Sequence, residues 1–192
     1  MSGHKHSGLS NFEEREKILP SQKILSNFGI HSGQHLADLG AGYGFFAIRA
    51  AEMVGEHGRI EAIDIEPERL QSLLTSAQER GVFQHLRTHL AEGETIPLPP
   101  NSVDVALIST VLHELHDPLS YLQEARRIVK EQGEIWVIEW QNKVTKMGPP
   151  LAERRSIDHW VSLLEQAGFE NIWVQTLEPG FVLIKGNLTR VK

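Results

Sequence analysis

Apolar runs and stretches of helical periodicity alternate along most of the chain. Five apolar runs are short enough for strands and end at polar or turn residues: His35–Leu39, Arg59–Ile65, Leu86–Ala91, Val103–Thr110 and Glu134–Trp140. Between them, apolar residues recur every three or four positions, as in helices that bury one face. This alternation predicts an α/β protein in which helices cover a largely parallel sheet.

Helical periodicity, together with proline and glycine near the ends, predicts six helices. They cover Phe12–Leu19, Pro20–Phe28, Phe46–Val54, Pro67–Arg80, Asp117–Glu131 and Ser156–Ala167, the last capped by Ser156. The fifth helix is expected to turn Val129 towards the core. The chain then ends in a hairpin of two strands, Asn171–Leu177 and Phe181–Gly186, around a Glu-Pro-Gly turn.

The first strand passes into a helix through a glycine-rich turn. Three glycines lie there: Gly40, Gly42 and Gly44. Glycine permits positive φ and lets a ligand approach the backbone without meeting a Cβ, while the start of the next helix offers unpaired N–H groups. A dinucleotide fingerprint would need its last glycine at position 45, but that residue is Phe45. An acidic residue, Asp38, precedes the turn. The turn therefore predicts a nucleotide-type site that departs from the dinucleotide pattern.

A second carboxylate, Asp64, ends the next strand 20 residues after Gly44. An α/β nucleotide fold places a carboxylate near this distance, over the ribose hydroxyls, because a carboxylate accepts both hydroxyl hydrogens. The alternative is a strand-end aspartate that caps the following helix. With the glycine turn upstream, we favour the ribose hypothesis.

Composition narrows the class of protein. The 192 residues include no cysteine, which excludes disulfides, thiolate metal sites and cysteine nucleophiles. The net charge of −6 gives no general basic field for nucleic acid or an anionic membrane. No apolar run is long enough to span a membrane and no signal segment is recognisable, so we expect a cytoplasmic protein. His4 and His6 lie in a Gly/Ser/His-rich segment that we interpret as a solvated tail, because two histidines do not close a metal site.

The motif D-L-G-A-G-Y-G, from Asp38 to Gly44, resembles the first motif of class I S-adenosylmethionine-dependent methyltransferases. The β/α order from about residue 30 to residue 186 is similar to that family, and most of all to its type 11 group, which includes quinone-biosynthesis methyltransferases. The arsenite methyltransferases of that group depend on cysteines, so this branch is excluded. The resemblance implies a Rossmann-like three-layer α/β/α sandwich with a seven-stranded, mostly parallel sheet in the order 3-2-1-4-5-7-6, strand 7 being antiparallel. It also implies a methyltransferase domain at residues 30–187, preceded by a tail and lid helices at residues 1–29.

The cofactor implied by this resemblance is S-adenosylmethionine, with S-adenosylhomocysteine as its product. The resemblance assigns the amino group of the methionine part to Asp38 and the ribose to Asp64. The loop that would approach the methionine part consists of Gly40, Ala41, Gly42 and Gly44.

The resemblance also implies contacts to the adenine and the methyl group. Ile65 would lie against the adenine face, and Glu92 and Gly93 would meet the adenine amino group. The family more often has aspartate where Glu92 stands, and the alternative for this segment is a polar loop. Ser109, at the end of the fourth strand, would lie near the reactive methyl.

The segment V-L-H-E-L-H-D-P follows the fourth predicted strand and resembles a recurring "VLHHL"-type segment of the family. His113 is therefore expected near the reactive methyl, where it would accept a proton or orient the substrate. The alternative is a histidine that packs against the cofactor without chemistry. A metal site from His113, Glu114 and His116 is rejected, because those positions do not share one face. The candidate acceptor pocket comprises Tyr43, His113, Trp140 and Arg155.

These patterns predict a methyltransferase that acts on a small molecule, without a nucleic-acid or membrane partner. Two alternatives stay open. One is a nicotinamide-dependent oxidoreductase, which Phe45 disfavours, and the other is a protein of the same fold that binds the cofactor without turnover. No recognisable motif encodes the acceptor or the oligomeric state.

Overall fold

A seven-stranded sheet forms the centre of the computed structural model, which describes residues 12–188. Its strands are β1 (His35–Leu39), β2 (Arg59–Asp64), β3 (Leu86–Leu90), β4 (Val103–Ser109), β5 (Val129–Trp140), β6 (Glu170–Leu177) and β7 (Phe181–Asn187). They lie in the order β3-β2-β1-β4-β5-β7-β6; β1 to β5 are parallel, and β7 is antiparallel to both neighbours. The predicted fold and strand order are confirmed, while His4 and His6 lie outside the described residues.

Helices cover both faces of this sheet. They are α1 (Phe12–Ile18), α2 (Ser21–Phe28), α3 (Phe45–Val54), α4 (Pro67–Glu79), α5 (Pro118–Ile128) and α6 (Ile157–Gln166). Residues of α2, α3 and α4 pack with one face, and residues of α5 and α6 with the other. Successive strand residues divide between the two cores, as Leu36 and Ala37 do in β1, so the central strands are apolar along most of their length. Within residues 12–188, no helix is both long and apolar enough to cross a membrane.

The fifth helix ends earlier than the sequence pattern predicts. The prediction placed Val129 on the helix and ran to Glu131, but α5 ends at Ile128 and Val129 is the first residue of β5. Val129 is extended, with ψ of 135°, and pairs with Val103, although it is buried as expected. A β-branched residue packs well in a pleated sheet, and the strand partner on β4 outweighs the helical periodicity here.

Side-chain caps begin two of the helices. Asp117 accepts a hydrogen bond from the Ser120 N–H at the start of α5, and Ser156 accepts one from the His159 N–H at the start of α6, both at 3.1 Å. Each cap satisfies an N–H group that has no partner within the helix. The cap predicted at Ser156 is therefore confirmed.

An aromatic stack holds the N-terminal helices to the sheet. The rings of Phe28 in α2 and Trp136 in β5 lie 5.1 Å apart and within 10° of parallel, and both side chains are fully buried. Lys185 of β7 donates a hydrogen bond to the carbonyl oxygen of Phe28 at 2.9 Å. The stack therefore joins the end of α2 to the middle of the sheet.

Replacing Phe28 by alanine is expected to lower the free energy of unfolding by roughly 3–5 kcal/mol, because it removes a buried ring and leaves a cavity under α2. Urea denaturation followed by circular dichroism measures the change. Phe83→Ala is the matched control, since Phe83 is 43% exposed and its loss is expected to cost less than about 1 kcal/mol. Equal losses in the two variants would contradict the importance of the stack.

Candidate functional site

Four buried polar side chains lie at or next to the carboxyl ends of neighbouring strands: Asp38 (β1), Asp64 (β2), Ser109 (β4) and Glu139 (β5). The chain changes direction across the sheet between β1 and β4, because β2 and β3 lie on one side of this point and β4 and β5 on the other. Open α/β sheets bind ligands at such a switch point. This edge of the sheet is the candidate functional site.

The glycine loop has one open position. Gly40, Gly42 and Gly44 all have positive φ, of 80°, 55° and 87°. A Cβ on Gly40 would lie 2.4 Å from a Val111 methyl carbon, and one on Gly44 would lie 2.6 Å from Leu73, whereas one on Gly42 would meet nothing within 4 Å. Packing within the protein therefore accounts for Gly40 and Gly44, and Gly42 presents its backbone to open space, where a ligand can approach.

Asp64 braces this loop. Its Oδ2 accepts the Gly42 N–H at 2.8 Å, and its Oδ1 accepts the Glu66 N–H at 2.9 Å. The N–H groups of Gly40 and Ala41 both donate to the carbonyl oxygen of Ile63, each at 2.8 Å. Asp64 is only 5% exposed, so the end of β2 fixes the loop that follows β1. Each carboxylate oxygen keeps a second lone pair, and ribose binding by Asp64 stays a prediction.

Asp38 is a buried carboxyl group with one unused oxygen. It is 2% exposed, and its Oδ2 has no hydrogen-bond partner among residues 12–188. Burial raises the pKa of Asp38 to about 7, against the charge of Arg15 and a hydrogen bond from the Ala47 N–H, which both lower it. A buried carboxylate without a donor is costly, so this oxygen is suited to a cationic N–H donor from a ligand.

Arg15 brings a positive charge from α1 to this end of the site. Its guanidinium lies 4.6 Å above the centre of the Phe45 ring at the start of α3. Burial lowers the pKa of Arg15, and the charge of Asp38 opposes that shift. The sequence analysis did not identify Arg15, because it stands in a run of charged residues that is typical of a solvated helix face.

A histidine and a glutamate form a buried pair at the other side of the switch point. His113 Nδ1 and Glu139 Oε2 are 2.9 Å apart, and their side chains are 5% and 0% exposed. The same Glu139 oxygen accepts the Trp140 N–H at 3.1 Å, whereas Oε1 has no partner within the described part of the chain. The sequence analysis did not assign Glu139 a role; its signal is a lone carboxylate near the end of an otherwise apolar strand segment, I-W-V-I-E-W.

The surroundings of His113 favour its protonated form. Burial lowers the pKa of His113, but the hydrogen bond and charge of Glu139, with the charges of Glu114 and Glu153, outweigh burial and raise the pKa above its ordinary value. An ionised carboxylate can only accept, so Nδ1 carries a hydrogen in this pair. His113 Nε2 lies 3.7 Å from the carboxylate of Glu114, a side chain that is half exposed.

Arg154 organises the loop that follows β5. Its guanidinium donates to the carbonyl oxygens of Lys143, Met147 and Pro149 at 2.7–2.9 Å and to the Thr145 hydroxyl at 2.9 Å. It also lies 5.1 Å above the Trp140 ring. Buried at 6% exposure, Arg154 thereby ties residues 143–149 to the end of β5.

The predicted acceptor residues separate into three places. Glu139 bonds to the His113 ring and to the Trp140 backbone N–H, but the Trp140 ring packs on Phe181 at 4.2 Å, in the core on the other face of the sheet. Tyr43 is 55% exposed on the glycine loop. Arg155 is exposed and donates to the Ala152 carbonyl oxygen at 2.8 Å, so the structure does not bring it to this pair. The neighbouring Arg154 occupies the position over Trp140 instead.

The predicted adenine contacts lie on exposed segments. Ile65 is 59% exposed beyond β2, and Glu92 and Gly93 are exposed in the loop beyond β3. Glu94 accepts the His116 N–H at 2.9 Å, which connects this loop to the segment after β4. The roles of these residues, and that of Ser109, whose buried Oγ has no partner among the described residues, stay predictions.

An apolar recess lies next to the Arg154-bound loop. It has a volume of about 510 Å³ and is lined by Ile18, Val144, Thr145, Lys146, Met147 and Pro179. This volume falls in the range of pockets that hold small molecules.

Known proteins resemble this chain in sequence. A family model described as "Methyltransferase domain" matches residues 37–137. A ubiquinone/menaquinone biosynthesis C-methyltransferase of Serratia proteamaculans is 30% identical over 112 residues, which is 58% of this chain and 45% of that protein. The chain therefore spans about half the length of the curated relatives it matches.

Solved structures share the fold. A SAM-dependent methyltransferase from Aquifex aeolicus has a TM-score of 0.85 and 28% identity, and the match covers 92% of this chain and 93% of that chain. A [4+2]-cyclase, SpnF, has a TM-score of 0.76 at 17% identity, with 90% of this chain and 81% of that chain covered. The second likeness concerns the fold alone, and it shows that this fold also occurs in a protein named for a different reaction.

Asp38→Asn is expected to change how stability depends on pH. The folded-state pKa of Asp38 is raised, so the wild-type protein binds an extra proton on folding between its ordinary pKa of 3.8 and about 7. This group therefore stabilises the fold at low pH, and that contribution falls by up to about 1.4 kcal/mol per pH unit as pH rises through this window. The difference in free energy of unfolding between wild type and variant, measured by urea denaturation from pH 4 to 8, should show that slope. A flat difference across this pH range would contradict the assignment.

Arg154→Lys is expected to loosen the loop at residues 143–149, because lysine lacks the planar group that reaches four oxygens at once. Losing two of these hydrogen bonds, at about 1 kcal/mol each, should raise trypsin cleavage after Lys143 and Lys146 about thirtyfold. Timed digestion with mass spectrometry measures the rate. Arg155→Lys should leave the rate unchanged, and equal protection in both variants would contradict the role of Arg154.

Proposed function

The chain belongs to the class I S-adenosylmethionine-dependent methyltransferase family, in its type 11 group, and we propose that it transfers a methyl group from S-adenosylmethionine to a small-molecule acceptor. S-adenosylhomocysteine is then the second product. The curated relative from Serratia is named for C-methylation in quinone biosynthesis. For this chain, we propose a small molecule as the acceptor and name no particular compound.

One observation carries the proposal: the open Gly42 belongs to a loop that follows the buried, unsatisfied carboxyl group of Asp38. The methionine part of the cofactor carries an ammonium group, which supplies N–H donors and a positive charge for Asp38 Oδ2. A pyrophosphate would instead bring negative charge to an edge that already holds Asp38 and Asp64, which is repulsive. This charge argument supports a sulfonium donor over a nicotinamide dinucleotide.

Arg15 suits the other charged group of the methionine part. An amino acid presents an ammonium and a carboxylate close together, and the coupled Asp38 and Arg15 offer the opposite pair. In this proposal α1 closes over the loop as a lid, and Arg15 accounts for part of the cofactor affinity.

The cofactor supplies a methyl group on a positively charged sulfur, and loss of the methyl group leaves that sulfur as a neutral thioether. What the protein must add is mainly alignment and exclusion of water, which together can supply about 7–11 kcal/mol. Asp38 and the glycine loop would hold the donor, with Asp64, Ile65, Glu92 and Gly93 as the further contacts. Ser109 would face the region between donor and acceptor.

The acceptor side is assigned to the buried pair and the ordered loop. His113 would contact the acceptor, and the loop bound by Arg154 would shield the end of β5 from water.

Titration calorimetry at pH 8 with S-adenosylhomocysteine, NAD and 5′-methylthioadenosine tests cofactor binding. The wild-type protein is expected to bind S-adenosylhomocysteine and not NAD. Asp38→Asn should lower the affinity for S-adenosylhomocysteine about tenfold or more, because a charged hydrogen bond is lost. The affinity for 5′-methylthioadenosine should change less than about twofold, since that probe lacks the amino group of the methionine part. Binding of NAD without S-adenosylhomocysteine would overturn the proposal.

Release of S-adenosylhomocysteine, when the protein is mixed with S-adenosylmethionine and a protein-free metabolite extract, tests turnover. Release above that of a heat-inactivated sample supports a methyltransferase. Tight binding without release would favour the alternative, a protein of the same fold that binds the cofactor without chemistry.

A further inference from the structure

We propose that Glu139 and His113 form a base that restricts the acceptor to molecules whose methyl-accepting atom starts protonated, as an O–H group or an enolisable C–H acid. This inference rests on the proposed methyl transfer and adds the chemical class of the acceptor. In it, His113 contacts the acceptor and Glu139 is a positioning residue that acts through His113.

Glu139 is fully buried. A carboxylate with no exposure near the end of an apolar strand is costly, and Val137 and Ile138, which precede it, are equally buried but apolar. A carboxylate that served the fold alone would be expected to have both oxygens bonded, but Glu139 Oε1 has no partner among residues 12–188. Its one bonded oxygen serves the His113 ring and the Trp140 N–H. The fold therefore sustains a carboxylate whose main side-chain partner is an imidazole.

The hydrogen bond fixes which nitrogen can act. Glu139 accepts the hydrogen on Nδ1, so in neutral His113 the lone pair is on Nε2. The Trp140 N–H holds the carboxylate in place, and β5 pairs with β4 up to Ser109, four residues before His113. The pair thus presents a base with a fixed ring orientation at the carboxyl ends of two adjacent strands.

The charges around the pair favour a neutral acceptor. Three acidic groups face His113: Glu139 from β5, Glu114 from its own turn and Glu153 from the turn after the loop. They stabilise the imidazolium that forms when His113 takes a proton, and they repel an acceptor that is already an anion. An acceptor with a free lone pair, such as a thioether or a tertiary amine, would gain nothing from this base.

In the proposed step, His113 takes the proton of the acceptor as the methyl group is transferred. The acceptor's proton moves to His113 Nε2, the freed electron pair forms the new bond to the methyl carbon, and the carbon–sulfur bond breaks with its pair left on sulfur. His113 becomes an imidazolium paired with Glu139, and it returns its proton to water when the products leave.

Nuclear magnetic resonance of the histidine rings tests the pair without any acceptor. Wild-type His113 is expected as the Nδ1–H tautomer, with a pKa above that of an ordinary histidine. Glu139→Gln removes the charge but can keep an acceptor oxygen, so the pKa of His113 should fall while its Nδ1–H tautomer is kept. Glu139→Leu should lose both the raised pKa and the tautomer preference. An Nε2–H tautomer in the wild type, or an unchanged pKa in Glu139→Gln, would overturn the proposal.

Initial rates of S-adenosylhomocysteine release with the metabolite extract, from pH 6 to 9, test the role in turnover. The wild-type rate should rise with pH to a plateau, His113→Gln should lower the plateau about 10²–10⁴-fold, and Glu139→Gln should move the rise to lower pH. The exposed His116→Gln is the matched control and should behave as wild type. The KM for S-adenosylmethionine should change less than twofold in every variant, which a general loss of structure would not allow.

The outcomes separate this inference from the function on which it rests. A pH-independent rate, or a rate unaffected in both His113→Gln and Glu139→Gln, overturns the base while leaving methyl transfer intact. Wild type that binds S-adenosylhomocysteine but releases none from the extract also counts against the base. Wild type that does not bind S-adenosylhomocysteine overturns the proposed function itself.

Discussion

The hydrogen bond from the Gly42 N–H to the Asp64 carboxylate is the constraint on which the candidate site depends. It joins the end of β2 to the loop after β1, and the Glu66 N–H occupies the other carboxylate oxygen. Gly40 and Gly44 pack too closely against Val111 and Leu73 to carry a side chain, whereas Gly42 is open. These hydrogen bonds within the protein preorganise the loop, which reduces the ordering that a ligand has to impose.

Three buried carboxylates lie at one edge of the sheet, and each has a different hydrogen-bonding environment. The chemistry that each can support follows from that environment. Asp64 is satisfied by backbone N–H groups and braces the loop. Asp38 keeps an unused oxygen and a raised pKa, which suits a cationic ligand group. Glu139 holds His113, which suits a proton transfer. In the proposed reaction, the β1–β2 side of the switch point would hold the methyl donor and the β4–β5 side would act on the acceptor.

The elements and their order were predictable because their signals are local. The glycine turn, the strand ends at Leu39 and Trp140 and the cap at Ser156 follow from turn chemistry and hydrophobic periodicity, which the fold preserves. The strand order itself came from resemblance to a family and is confirmed by the pairing. The prediction was wrong at Val129, because pairing with β4 is a long-range interaction that helical periodicity does not register.

Within the site, residue types at the strand ends could be read from the chain, but their partners could not. His113 was identified from its segment, whereas its pairing with Glu139, 26 residues away, exists because β4 and β5 are neighbours in the sheet. The loop after β5 likewise buries Arg154 and leaves Arg155 exposed, although both are arginines in one run. Spacing and composition are properties of a segment; burial, which makes a carboxylate or guanidinium require a specific partner, arises only when distant segments pack together.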